Sequence, residues 1–149
     1  MNKHSLVFIV FIFIPVFFYA QEKKSCKNRW ENNLREGLWI EYYDTLNQFP
    51  MHKGRYHLGL QKGTWKYYYE DKVVRKKEKI GKEFVRTRYY FPNGKLKSKG
   101  KAIIDRSDPV YLHYFYQGTW IYYNEKGKPE YQVEYLYGDQ VGEKKFLKK

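Results

Sequence analysis

The sequence predicts an all-β protein: an elongated, twisted antiparallel meander of stacked β-hairpin repeats. Three observations predict it. An aromatic–glycine word recurs along the chain, which is the mark of a repeat architecture. Runs rich in Trp, Tyr, Ile and Val lie between glycine-bearing turn signals, as half-buried strands do. No segment after residue 20 holds a sustained apolar period of 3.6 residues, so almost no helix is expected.

The chain opens on Lys3 and His4, followed by the uncharged run LVFIVFIFIPVFFYA from Leu6 to Ala20. A basic start, an apolar stretch shorter than the ~20 residues of a spanning helix, and a small-residue exit make a secretory signal peptide. Residues 1–20 are read as that signal, and the location as exported, periplasmic or extracellular. Its removal leaves no transmembrane span. It also takes away Lys3 and no acid, so the formal net charge falls by one from +13 to +12.

Residues 21–29 are expected to be a flexible N-terminal segment. They contain Cys26, the single cysteine, which rules out an intramolecular disulfide framework. Lys23-Lys24-Ser25 before it does not fit a lipid-attachment motif.

The repeat domain is placed at residues 30–149. WENNLREGLWIEYY, Trp30 to Tyr43, aligns without gaps on YHLGLQKGTWKYYY, Tyr56 to Tyr69. Gly37 meets Gly63, Trp39 meets Trp65, and Asn33 meets Gly59, both suited to left-handed backbone. A connection crowded with Lys72, Arg75, Lys76, Lys77, Lys79 and Lys82 is expected next. A degraded copy follows, with Thr87 at the Trp position and Tyr89-Tyr90 before Asn93-Gly94, read as a type I′ hairpin turn. In Lys95-Leu96-Lys97-Ser98-Lys99-Gly100-Lys101 the lysines alternate, so a strand there would put them all on one face. They are read either as a solvated edge that discourages aggregation or as an anion-binding face. Ser107-Asp108-Pro109 interrupts the repeat with a turn. Gly118-Thr119-Trp120-Ile121-Tyr122-Tyr123 resumes it, Gly127 marks a turn, and Tyr135 to Gly142 gives a last partial copy with Gly138 at its turn.

The combination Gly-x-Trp-x-x-Tyr-Tyr, a Gly-Lys turn and a later Tyr-x-x-Gly resembles MORN-type repeats. More narrowly, it is similar to the bacterial variant repeat of proteins known as toxin–antitoxin antitoxins. The resemblance runs from about Trp30 to Phe146, with Trp39, Trp65 and Trp120 as its strong matches. It implies stacked hairpins and a binding or scaffolding role without catalysis. An antitoxin or immunity-like role, neutralising a toxin by direct contact, is the alternative it suggests.

Motifs of catalysis and metal binding are lacking. His52, His57 and His113 stand at no metal-ligand spacing with one another or with Cys26. Carboxylates such as Glu41, Glu70, Asp71, Asp105 and Asp108 cannot be paired across strands from sequence, which leaves a glycosidase-like couple open. No catalytic residue, metal or cofactor is assigned. The expected binding face combines Trp39, Trp65, Tyr67, Trp120 and Tyr122 with Lys95, Lys97 and Lys99, while Gly37, Gly59, Gly63, Gly94, Gly118, Gly127, Gly138 and Gly142 define the repeat. A protein partner is expected, with anionic glycan or lipid headgroups as the alternative. Export argues against nucleic acid.

Overall fold

The computed structural model describes residues 27–105, 107 and 113–146. The signal segment, Cys26 and Asp108-Pro109 lie outside the described residues. The described chain forms strands β1 (Arg29–Glu31), β2 (Leu34–Tyr42), β3 (Pro50–His57), β4 (Leu60–Tyr68) and β5 (Val74–Ile80). It continues with β6 (Val85–Tyr90), β7 (Leu96–Asp105), β8 (His113–Tyr123), β9 (Pro129–Leu136) and β10 (Asp139–Lys145). They pair in strict sequence order as one antiparallel sheet of 10 strands. The all-β meander is therefore as the sequence predicts, and the sheet is open.

Two boundaries differ from the sequence reading. Of the segment assigned to a flexible lead, Arg29 opens β1 and Asn28 is hydrogen-bonded to β2. The Asn28 amide donates to the Leu38 carbonyl at 2.8 Å, while its side chain exchanges 2.8 Å hydrogen bonds with the backbone of Ile40. The basic stretch after the second repeat is the strand β5, so Arg75, Lys76, Lys77 and Lys79 lie in a strand and not in a connection. Its register against β4, from Gly63↔Ile80 to Tyr67↔Lys76, divides those charges between the two faces.

The turns explain the glycines. At one end of the sheet, Asn32-Asn33 (φ 49° and 61°), Leu58-Gly59 (50° and 77°) and Tyr137-Gly138 (49° and 93°) are two-residue turns with paired positive φ, matching strand twist. At the other end Asn93-Gly94 is a different turn from the one predicted. Only Gly94 has positive φ, at 78°, and its amide donates to the Phe91 carbonyl at 2.9 Å. Phe91 N–H in turn donates to the Lys95 carbonyl at 2.8 Å. This is a type I turn closed by a left-handed residue. Pro92 at its second position favours it, since proline presets φ there. Asn124 to Lys128 repeats the arrangement with Gly127 at φ 84°. Tyr69 to Val73 repeats it once more, but with Lys72 at φ 69° where the others carry glycine.

The Gly-x-Trp word is a bulge. Against β3, Lys53 pairs with Lys66 and Arg55 with Lys62, so Gly54 alone faces Gly63, Thr64 and Trp65. Against β7, Lys99 pairs with Ile121 and Lys101 with Gln117, so Gly100 alone faces Gly118, Thr119 and Trp120. The extra residues are accommodated by left-handed Gly63 (φ 71°) and Gly118 (φ 68°). Gly142, aligned with them by sequence, has no such backbone; the irregularity of β10 falls between Gln140 and Gly142.

Candidate binding face

Each bulge turns its indole onto the glycine of the preceding strand. A Cβ built at Gly54 would stand 2.1 Å from the Trp65 ring, and one at Gly100 would stand 2.3 Å from that of Trp120. The indole N–H then donates to the carbonyl just past that glycine: Trp65 to Arg55 at 3.2 Å, Trp120 to Lys101 at 2.9 Å. Both tryptophans have 0% exposure and Trp39 has 6%. Tyr56 closes edge-on at 4.9 Å from Trp65, and Tyr116 stacks at 3.8 Å on Trp120. Such contacts add about 0.5–1.5 kcal/mol each beyond area burial. This row is the core of a single-layer sheet.

The middle repeat lacks both halves of the device. Thr87 stands where a tryptophan would, Glu78 where the receiving glycine would, and β5 pairs with β6 without a bulge. Tyr114 of β8, itself 39% exposed, covers the gap from across β7, where Ser98, Gly100 and Ala102 on this side are small. Its hydroxyl donates to Glu78 Oε1 at 3.2 Å and lies 2.9 Å from Thr87 Oγ1. Glu78, only 4% exposed, also pairs with Lys76 Nζ at 3.0 Å. That ammonium sits 3.9 Å from the centre of the Tyr67 ring. Burial, reinforced by the Glu78 carboxylate, pushes the Tyr67 hydroxyl well above the usual phenol range. It does the same to Tyr114 against the opposing Thr87 hydrogen bond. Burial also raises Tyr116 and Tyr122, the latter stacked at 4.7 Å on Tyr131.

The expected face uniting tryptophans with lysines does not exist. Trp39, Trp65 and Trp120 are enclosed on one side, with half-buried Tyr67 and Tyr122 beside them, whereas Lys97 and Lys99 project from the other. Lys95 precedes β7, in the turn. Their alternation was read correctly: Ser98 and Ala102 are buried, and Lys97 and Lys101 are exposed. They are not on a solvated edge, because β7 is an interior strand.

The register assembles what sequence spacing could not. On the face opposite the tryptophans, Lys53 pairs with Lys66, Lys66 with Lys77, Lys77 with Arg88, and Arg88 with Lys99. One cation per strand therefore forms a straight row across β3 to β7, ended by Ile40 on β2 and Ile121 on β8. Flanking it, Arg55 pairs with Lys62, and Lys79 with Arg86, which pairs with Lys101. None of these side chains is in an ion pair among the described residues; the pairs found are Arg29–Glu31, Arg35–Glu41, His52–Glu41, His57–Glu36 and Lys76–Glu78. Two shallow hollows open along this face. One of about 730 Å³ is lined by Lys53, Arg55, Lys62 and Lys66, with Glu36 and His57 also among its lining residues, and one of about 230 Å³ by Arg86, Arg88, Lys99 and Lys101.

Protein-family models, curated protein sequences and solved structures gave no match to this chain.

Among the described candidates, Glu41, Asp71, Asp105, His52 and His57 have partners in the fold. Glu41 holds Arg35 at 3.6 Å and His52 at 3.3 Å. Asp71 accepts from the Val73 amide and Asp105 from that of Ser107, closing turns. Glu36 accepts from the Leu58 amide at 2.8 Å and meets His57 at 3.2 Å, which hold its carboxyl below the ordinary carboxylate range. Sequence reading missed Gly54 as a receiving position. The available signal was the basic–Gly–basic triplet, Lys53-Gly54-Arg55 and Lys99-Gly100-Lys101, in the strand before each Gly-Thr-Trp.

Proposed function

We propose that this chain is an exported, non-catalytic MORN-like repeat module that binds a macromolecular partner of opposite charge. The observation that carries this reading is the basic row, five cations on five adjacent strands of one face. Aromatic residues consolidate the other face, so the tryptophans act as structure and the cations as the working surface. The repeat word supports the MORN-like assignment, and the apolar run before Ala20 supports export. Net charge of this size attracts anionic partners over a Debye length of about 8 Å at physiological salt.

Affinity capture tests the reading. The purified protein is used as bait on envelope and secreted fractions at two salt concentrations. Recovery of an acidic macromolecule that is lost as salt rises is the expected result. Recovery of nothing at either concentration, or turnover of a substrate by the purified protein, contradicts it.

A further inference from the structure

We infer that the partner is a linear acidic polysaccharide, laid across the strands along Lys53, Lys66, Lys77, Arg88 and Lys99. This rests on the binding-module reading and gives its ligand a chemical class and a direction. The geometry comes first. Neighbouring strands lie about 4.8 Å apart, so the row presents a cation at each such step and spans roughly 19 Å. A flexible chain with anionic groups in series can set a carboxylate or sulfate against each rung. Hollows of about 730 and 230 Å³ open beside the row, lined mainly by its cations and their basic neighbours, with the Glu36 carboxylate also lining the larger one.

Like charges directly opposite one another across strands are destabilising. Here every neighbouring pair in the row carries the same sign, on interior strands where lysines have no edge to protect. A bound polyanion cancels this repulsion, so ligand and fold stabilise each other. The residues around the row separate this class from other polyanions. Single-stranded nucleic acid is held by bases stacked on aromatic side chains. The tryptophans, however, are on the opposite side of the sheet and buried, or, for Trp30, in the outermost strand β1. The rings beside the row are capped by its own cations, Tyr123 by Lys99 at 5.7 Å and Phe84 by Lys101 at 4.9 Å, with half-buried Tyr68 at the rim of the larger hollow. Membrane docking draws on inserted apolar side chains. Leu34, Leu58 and Leu60, exposed at 43%, 64% and 56%, sit by the turns at one end of the sheet and not along the row.

The test uses the full purified protein with four probes: polygalacturonate, heparin, oligo-dT and phosphatidylglycerol vesicles. The triple variant Lys66→Gln, Lys77→Gln, Arg88→Gln removes the central rungs, and Lys126→Gln, Lys128→Gln removes exposed turn lysines as a control. Both polysaccharides are expected to bind with an affinity that falls as salt rises. The triple variant is expected to lose at least about tenfold and the control about twofold or less. Polysaccharide should also raise the melting temperature of the parent protein and leave that of the triple variant unmoved. The triple variant itself should melt no lower than the parent, which separates lost binding from lost folding. Unchanged polysaccharide affinity in the triple variant overturns the inference. So does ladder-dependent binding of oligo-dT or vesicles without binding of either polysaccharide. Capture of an acidic protein while both polysaccharides fail to bind also overturns it, but leaves the binding-module reading standing.

Discussion

The intact repeats and the degraded one solve the same packing problem in different ways. At Gly54–Trp65 and Gly100–Trp120, a bulge tips an indole onto a bare backbone, and one N–H satisfies the carbonyl beside it. At Glu78–Thr87 there is neither bulge nor indole, and a tyrosine from two strands beyond Thr87 seals a carboxylate instead. The first solution is apolar and local. The second is polar and borrowed from the next repeat, which explains why β7 must keep Ser98, Gly100 and Ala102 small beneath it. A repeat can thus lose its defining word if a neighbour supplies a long side chain and the intervening strand stays low.

Breaking the apolar device should cost most. Trp65→Ala or Trp120→Ala removes a fully enclosed side chain and should destabilise by about 3–5 kcal/mol in chemical denaturation. Gly54→Ala or Gly100→Ala should cost about 1–3 kcal/mol or more, because the added methyl collides with a ring that cannot retreat. Breaking the polar device should cost less. Tyr114→Phe removes the hydroxyl shared by Glu78 and Thr87, yet leaves Glu78 its Lys76 partner, so about 1–2 kcal/mol is expected.

Both devices carry tyrosines that link stability to pH. Tyr67, Tyr114, Tyr116 and Tyr122 have hydroxyls raised in the folded state above the ordinary phenol value. Their contribution is fully present below about pH 10 and is lost as pH rises beyond it, because the unfolded chain then releases protons that the folded one retains. Thermal melts at rising pH should show the loss setting in near that value. Tyr114→Phe should blunt it, whereas a parent melting temperature that stays flat through pH 10–11 contradicts the prediction. The smallest effect concerns the turns. Lys72→Gly relieves a left-handed lysine where the sister turns use Gly94 and Gly127, and should stabilise by about 0.5 kcal/mol, read as a small rise in melting temperature.

Much of the fold was legible because the word Gly-x-Trp-x-x-Tyr-Tyr fixes local backbone, and local backbone repeats. Gly59 and Asn33 both adopt the left-handed conformation that their positions in the word suggest. The type of turn at Asn93-Gly94 was misread because Pro92 outweighs the dipeptide. The faces were harder to read. Alternation gave the correct side for Lys97, Lys99 and Lys101 within one strand, but the Gly-x-Trp bulges shift the phase between strands. Only the register shows that Trp65 and Lys66 begin two different rows, one buried with Glu78 and Thr87 and one open with Lys77 and Arg88. The basic row was invisible for the same reason: its members are 11 to 13 positions apart and belong to no motif.

The central claim is that the tryptophans hold the sheet together and the opposite face is free to bind. Tryptophan fluorescence of a Trp30→Phe variant tests it most directly, since Trp30, at 60% exposure, is the one indole open to solvent among the four. The account predicts blue-shifted emission from Trp39, Trp65 and Trp120, weak quenching by iodide, and no change in either when the cations of the basic row are replaced by glutamine. Red-shifted emission, quenched as strongly as in the unfolded chain, would contradict it.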